Sequence, residues 1–281
     1  MKWMLIGTDP RFAPLSELAA EQGIDAAAPA RGLDADGWRA AAAQADALIA
    51  HSPWGAGQLP SADCPLSAGQ LMDAARPDAR LIALSCAGMP AAYRRDHGGR
   101  TIDLGTDEAF AVRNGALTAE GAVFTAMVRS SSALCEGICL VIGYGRVGRP
   151  LALMLAGLGS RVLVAARRPE VRSQVENDRA ATPIRAISMD GLWDALPGAG
   201  FVFTTPPETV LDAALLGRLR PGALLIDLAS PPYGFDMALA AGMGIACSRE
   251  PALPGRYCPR SAAAALLDAA LRAITAKGEE T

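Results

Sequence analysis

The residues Gly143-Tyr144-Gly145-Arg146-Val147-Gly148 follow the apolar run Ile138 to Ile142 directly and open a stretch with helical spacing. Glycine at the first position permits a tight turn, glycine at the third lets backbone amides approach a pyrophosphate, and glycine at the sixth lets helix and strand pack closely. The helix N-terminus then faces the anion. A glycine-rich turn that binds nothing is the alternative, and the strand-turn-helix context argues against it. Where a NAD enzyme places an acid about 20 residues further on, this chain has Val164-Ala165-Ala166-Arg167-Arg168. An acid would repel a 2′-phosphate, whereas an arginine pair can hold it bidentately, so the chemistry points to NADP, with use of NAD left open. The bland alternative is that Arg167 and Arg168 are solvated surface charge.

Two loops complete the candidate cofactor site. Thr204-Thr205-Pro206 and Asp227-Leu228-Ala229-Ser230 each end an apolar run, and in open parallel sheets ligands sit at the carboxyl ends of strands. Asp227 reads as a possible proton-transfer group or as a structural loop acid. His51, ending another such run, is a candidate for the same chemistry or a turn histidine. Glu120 is the preferred proton-transfer residue, because a helix between two domains can present a carboxylate to a cleft. Lysine chemistry is nearly excluded, since Lys2 and Lys277 are the only lysines.

The rest of the composition narrows the class. With 281 residues, 51% apolar and 20% charged, the chain is long enough for two ordinary cores. A net charge of -3 with scattered basic residues lacks the footprint for nucleic acid. No window approaches a membrane span and no leader with a cleavage site is visible, which predicts a cytoplasmic protein. The six cysteines read as reduced thiols, and Cys135 and Cys139 lack a second ligand pair, so no metal site is expected.

These residues need elements to hold them. Trp3 to Ile6, Ala47 to Ala50 and Leu81 to Leu84 read as buried strands, with helices over Phe12 to Gln22 and Asp36 to Ala45. A helix from about Thr118 to Ser132, with Thr118 and Glu120 near its start, is expected to link the domains. Strand and helix then alternate through Ile138–Ile142, Val147–Leu158, Arg161–Ala166, Phe201–Thr205, Leu211–Leu219, Ala223–Leu228, Phe235–Ala241 and Ile245–Cys247. A last helix covers Arg260 to Ala276, followed by a charged tail expected to fray. The fold class is therefore α/β, with two Rossmann-like domains. The second is a doubly wound parallel sheet binding a dinucleotide, and a C-terminal helix returns to the first. The boundaries are 1–117 for a substrate or partner domain, 118–250 for the NADP domain, and 251–281 for the terminal loop and helix.

Several segments resemble one family. They are Ile102-Asp103-Leu104, Asp107-Glu108-Ala109-Phe110, Asn114 through Ala122, Val141 through Arg146, Val164 through Arg168, Leu225 through Ser230, and Leu253-Pro254-Gly255 with Pro259. Their order and spacing are similar to the A subunit of dipicolinate synthase over most of residues 102–275. Gly7-Thr8-Asp9-Pro10-Arg11 is similar to that family's opening turn, and His51-Ser52-Pro53-Trp54 is not a pattern associated with it. The resemblance implies NAD(P)-dependent oxidation of dihydrodipicolinate, or of 4-hydroxy-tetrahydrodipicolinate, to the dipicolinate of bacterial spores. It also implies a hetero-oligomer in which the partner is a flavoprotein-like B subunit. A dicarboxylate substrate needs cations, for which Arg11, Arg113, Arg256 and Arg260 are candidates, with Thr118 beside them. Two other readings remain. One is a two-domain dehydrogenase of the hydroxyacid or alanine type, which lacks here a late histidine or an interior lysine. The other is a catalytically idle NADP-binding scaffold for the flavoprotein.

Overall fold

Trp3 and Leu5 turn to one face of a parallel sheet, where helices cover them, and Met4 and Ile6 turn to the other, which is covered as well. Burial on both faces is why this strand reads as a continuous apolar run instead of an alternating one. The computed structural model describes residues 1–51, 64–178 and 184–276, and the chain divides into two units. The first contains Met1–Asn114 and Cys258–Thr281, and the second contains Gly115–Tyr257.

The first unit runs β1 (Lys2–Ile6), α1 (Phe12–Ala20), β2 (Asp25–Ala27), α2 (Ala35–Ala43), β3 (Ala47–Ala50), α3 (Ala68–Ala74), β4 (Arg80–Ala83), α4 (Ala91–His97) and β5 (Thr101–Asp103). Its strands are all parallel, in the order β2-β1-β3-β4-β5. That is the 2-1-3-4-5 order of flavodoxin-like sheets, in which the chain reverses direction of growth beside the first strand. Residues Ser52-Pro53-Trp54 lie outside the described residues.

Helix α5 (Glu108–Arg129) crosses the division between the units. It starts well before Thr118, which corrects the expectation that Thr118 and Glu120 stand near a helix start. The cause is Asp107, whose Oδ1 accepts from the Phe110 backbone N–H at 2.8 Å and caps the helix there. Gly115 does not break the helix. A Cβ there would collide with the Arg146 carbonyl, so the residue marks a close approach of α5 to the glycine-rich turn.

The second unit continues with β6 (Ile138–Ile142), α6 (Gly148–Gly157), β7 (Arg161–Ala165), α7 (Pro169–Asp178), β8 (Ile184–Ile187), α8 (Leu192–Ala195), β9 (Ala199–Thr204), α9 (Ala213–Leu216), β10 (Leu224–Asp227), α10 (Met237–Gly242), β11 (Ala246–Arg249) and α11 (Leu253–Tyr257). Its parallel order, β11-β10-β9-β6-β7-β8, is the 3-2-1-4-5-6 order of a doubly wound dinucleotide fold read from the far edge. Cys139 and Val141 face the core under α5 and α6, while Leu140 and Ile142 face the opposite one. In α6 the buried Gly148, Leu151, Ala152, Leu155 and Ala156 recur at three and four residues, a single apolar stripe. The sequence reading had no element for α7 and β8, whose polar helix and short strand carry little apolar signal.

The chain continues into α12 (Pro259–Ala276), which packs along α1 in the first unit. Ala263, Leu266 and Ala270 join Leu15 and Ala19 in one core, and small side chains let the two helices approach closely. This is the returning C-terminal helix expected from the sequence. The tail beyond Ala276 lies outside the described residues. No helix among the described residues is long and apolar enough to cross a membrane.

Asp107→Ala should lower stability by about 1 kcal/mol, the usual worth of an N-cap, with urea denaturation as the measure. A helix beginning at Thr118 would leave the same change neutral.

Candidate active site

The glycine turn after β6 is built by steric demands at two glycines and open space at a third. Gly143 has φ 93°, a conformation other residues adopt only with strain, and a Cβ on it would strike the Thr205 hydroxyl. A Cβ on Gly148 would strike the Gly143 carbonyl, so the first turn of α6 sits directly on the loop. Around Gly145 a Cβ would meet nothing within 4 Å, which leaves open space beside the backbone. That space belongs to a cavity of about 400 Å³, lined by Gly143, Tyr144, Gly145, Ala166, Arg167, Arg168, Pro206 and Glu208 among others. It stands at the carboxyl ends of β6, β7 and β9, where the strand order reverses between β6 and β9.

Neighbouring side chains fix the turn. The Thr205 hydroxyl donates to the Ile142 carbonyl at 2.9 Å and ties the end of β9 to the end of β6. Tyr144 donates through its hydroxyl to Asp178 at 2.9 Å, and Arg149 Nε donates to the same carboxylate at 2.8 Å. The Arg149 hydrogen bond holds the Asp178 carboxyl below the usual range, while burial and the Asp178 contact push the Tyr144 phenol up. Tyr144 is therefore a neutral wall of the cavity. Arg172 Nη1 donates to the Ala166 carbonyl at 2.9 Å and to the Arg167 carbonyl at 2.7 Å, which shapes the arginine-bearing loop from below.

The structure brings Gly143, Tyr144, Gly145, Arg167, Arg168 and Pro206 around one cavity. Arg146 is exposed on the turn, and Val147 and Gly148 lead into α6. Thr204 is fully buried, and its hydroxyl donates to Asp227 Oδ1 at 2.8 Å. Asp227, also fully buried, accepts further from the Ala229 and Gly234 backbone amides and from Arg249 Nε at 3.0 Å. The Arg249 guanidinium in turn lies 3.5 Å from the centre of the Tyr233 ring. Asp227 thus joins the ends of β9, β10 and β11, and the partners that enclose it belong to the protein itself.

The other candidates are dispersed. Arg11 and His51 come together in the first unit, at the ends of β1 and β3. Arg11 Nε donates to Asp9 Oδ1 at 2.7 Å and Nη2 to Asp9 Oδ2 at 2.5 Å, a buried bidentate pair. Burial works to raise the Asp9 pKa, but the hydrogen bonds and charge of Arg11 outweigh it and hold the carboxyl below its ordinary value. Burial lowers the His51 pKa against the pull of Asp9, and His51 Nδ1 has no hydrogen-bond partner among the described residues. A second cavity of about 340 Å³ opens beside Thr8, Asp9, Arg31 and Trp38. Arg113 pairs with Asp268 at 2.5 Å, and Arg260 with Glu17 at 3.1 Å. Arg256, in the second unit, pairs with the buried Glu250 at 2.8 Å. Glu120 is exposed on α5 and Thr118 is half-buried there.

Sequence reasoning missed Asp9, Asp178, Glu208 and Glu250. Asp178 and Glu208 act through partners distant in the chain, and Glu250 through a partner on another element. Only Asp9 had a local signal, its place two residues before Arg11 in a strand-end turn. The described residues contain no group of three or more His, Cys, Asp or Glu side chains able to hold a metal. Burial pushes the Cys86 thiol up to about 12 and Cys139 up to about 11, so both stay protonated near neutrality.

Asp227→Asn leaves the Arg249 guanidinium without its counter-charge and should cost roughly 3 kcal/mol in chemical denaturation. For Asp9, whose folded pKa is depressed, the stabilisation is present above the unfolded value near 3.9 and is lost as pH falls through the folded value. Stability measured against pH should therefore drop more steeply below about pH 4 in the parent than in Asp9→Asn.

No protein-family model matches the chain. A stretch of 163 residues is 28% identical to the A subunit of dipicolinate synthase from Bacillus subtilis (strain 168) and covers 58% of this chain. The match spans 54% of that relative, about half its length. Among solved structures, the A subunit of dipicolinate synthase from Bacillus halodurans superposes with a TM-score of 0.81 at 20% identity, over 97% of both chains. Its counterpart from Bacillus subtilis gives a TM-score of 0.76 at 22% identity, over 99% of this chain and 97% of that one. The chain is similar to the A subunit of dipicolinate synthase in sequence over the matched stretch and in fold over nearly its whole length.

Proposed function

We propose that the chain works as the A subunit of dipicolinate synthase, binding a nicotinamide dinucleotide on its second unit and oxidising a cyclic dicarboxylate. The observation that carries this reading is the cavity around the glycine turn. Its residues fit the cofactor, because Gly143 and Gly148 leave no room for a side chain whereas Gly145 opens onto space that a diphosphate would fill. Arg167 and Arg168, at the same cavity, supply guanidinium groups for a 2′-phosphate, so NADP is the proposed cofactor and NAD a usable one.

When bound, the nicotinamide supplies the acceptor for a hydride from the substrate ring. The chain's own residues must then take a proton and hold two carboxylates. Glu120 is the proposed base, since it is exposed while Asp227 is enclosed by its partners. His51 is the second choice, as its lowered pKa keeps the ring neutral and able to accept. Arg11, Arg113, Arg256 and Arg260 are proposed for the carboxylates with Thr118, and the proposed partner is a flavoprotein-like B subunit. The substrate is dihydrodipicolinate, or its 4-hydroxy-tetrahydro precursor, which must also lose its hydroxyl as water, and the compartment is the cytoplasm.

One observation favours a second reading, that of an idle NADP-binding scaffold. Arg11, Arg113, Arg256 and Arg260 are each already paired with a carboxylate of the chain. A substrate must displace those partners or share them. Titration calorimetry with NADPH, followed by assay of dipicolinate formation from the reduced precursor with NADP+ as the oxidant, with and without the flavoprotein, separates the readings. Binding and turnover support the enzyme, and binding without turnover in either case supports the scaffold. Arg168→Ala should weaken NADPH about tenfold or more, the worth of one charge-assisted contact, and change NADH little.

A further inference from the structure

An ion pair stands at the dinucleotide cavity itself. Arg167 Nη1 donates to Glu208 Oε2 at 2.9 Å, and both residues line the cavity. Arg167 follows β7 and Glu208 follows β9, the two strands that flank β6 in the sheet. The pair therefore joins the loops on either side of the glycine-turn strand. Glu208 belongs to none of the sequence patterns described above.

We propose that Glu208 is a specificity-determining residue for the 2′ position of the nucleotide, offsetting the preference for NADP(H) that Arg167 and Arg168 would otherwise create. The inference rests on the dinucleotide reading of the cavity and deepens it. A 2′-phosphate carries close to two negative charges and seeks the same guanidinium that Glu208 occupies. To bind, it must displace the carboxylate or share Arg167 with it, and like charges a few ångströms apart repel in either case. A ribose hydroxyl meets the opposite situation, because it donates a hydrogen bond and a carboxylate accepts one. Glu208 can thus take, from the loop after β9, the part that an acid at the end of the second strand plays in NAD enzymes. The pair is partly solvated, with Arg167 69% and Glu208 40% exposed, so the guanidinium is held without being locked.

The test measures NADPH and NADH affinities by nicotinamide fluorescence on the full chain, with Glu208→Gln and the double variant Glu208→Gln/Arg167→Gln. Glu208→Gln should tighten NADPH by about tenfold, as expected when one charge at short range is removed from a partly solvated site. NADH should change less than about threefold, and the double variant should lose the gain because the guanidinium itself is gone. If the glutamine variant folds poorly, Glu208→Ala should likewise tighten NADPH and, having no acceptor for the ribose hydroxyl, should weaken NADH, so the NADPH to NADH ratio again rises. An NADPH to NADH ratio that is unchanged or falls in Glu208→Gln overturns the proposal and leaves the dinucleotide reading intact. Absence of binding by either nucleotide to parent and variants overturns both.

Discussion

The organisation of the second unit depends on backbone crowding at one point, where the end of β6, the start of α6 and the end of β9 meet. Gly148 lies against the Gly143 carbonyl, and Gly143 lies against the Thr205 hydroxyl. No side chain fits between them, so strand, helix and neighbouring loop are held at fixed separation. The same closeness leaves Gly145 facing empty space. A cavity results because the chain packs so tightly on one side of the turn and cannot pack on the other. Helix α5 adds to the arrangement through Gly115, which meets the Arg146 carbonyl from another direction.

Around this point the loops are tied to one another more than to solvent. Asp227 gathers Thr204, Arg249 and the Gly234 amide into one buried polar network, which holds the ends of β9, β10 and β11 together. Buried charge at full hydrogen-bond satisfaction is stiff, because any departure leaves a group unpaired in a low-dielectric interior. The cavity itself has one rigid flank, the glycine turn that lines it. Its other flank, with Arg167 and Glu208, is solvated and adjustable. Under the proposed function, the diphosphate is recognised by the rigid backbone of the turn and the ribose by the adjustable side chains.

Much of this was legible in the residues. Apolar runs marked β1, β3, β4, β6, β7, β9 and β10 because parallel strands are buried on both faces, and the glycine spacing located the turn with its helix. The two-sheet α/β fold and the returning terminal helix followed from that alternation. Helix α5 was placed too late because Asn114-Gly115, between its first turns and the apolar positions from Ala119 onward, resembles a break. Elements α7 and β8 stayed hidden because Glu170 to Asp178 is polar and Ile184 to Ile187 is short. The partners of Arg11, Arg149, Arg167 and Arg256 were less accessible still. Some lie close in the chain and others far, but pairing depends on side-chain direction and on the strand order, which only the folded sheet provides.

The first unit is not contiguous in the chain, since α12 supplies a wall of its core after the whole of the second unit has intervened. On the ribosome the nucleotide-fold half is therefore completely synthesised before the N-terminal half receives this helix. Domains that emerge first usually fold first. Here that order is reversed for completion, and until α12 has emerged the flank of α1 against which it packs is a surface that chaperones would have reason to bind.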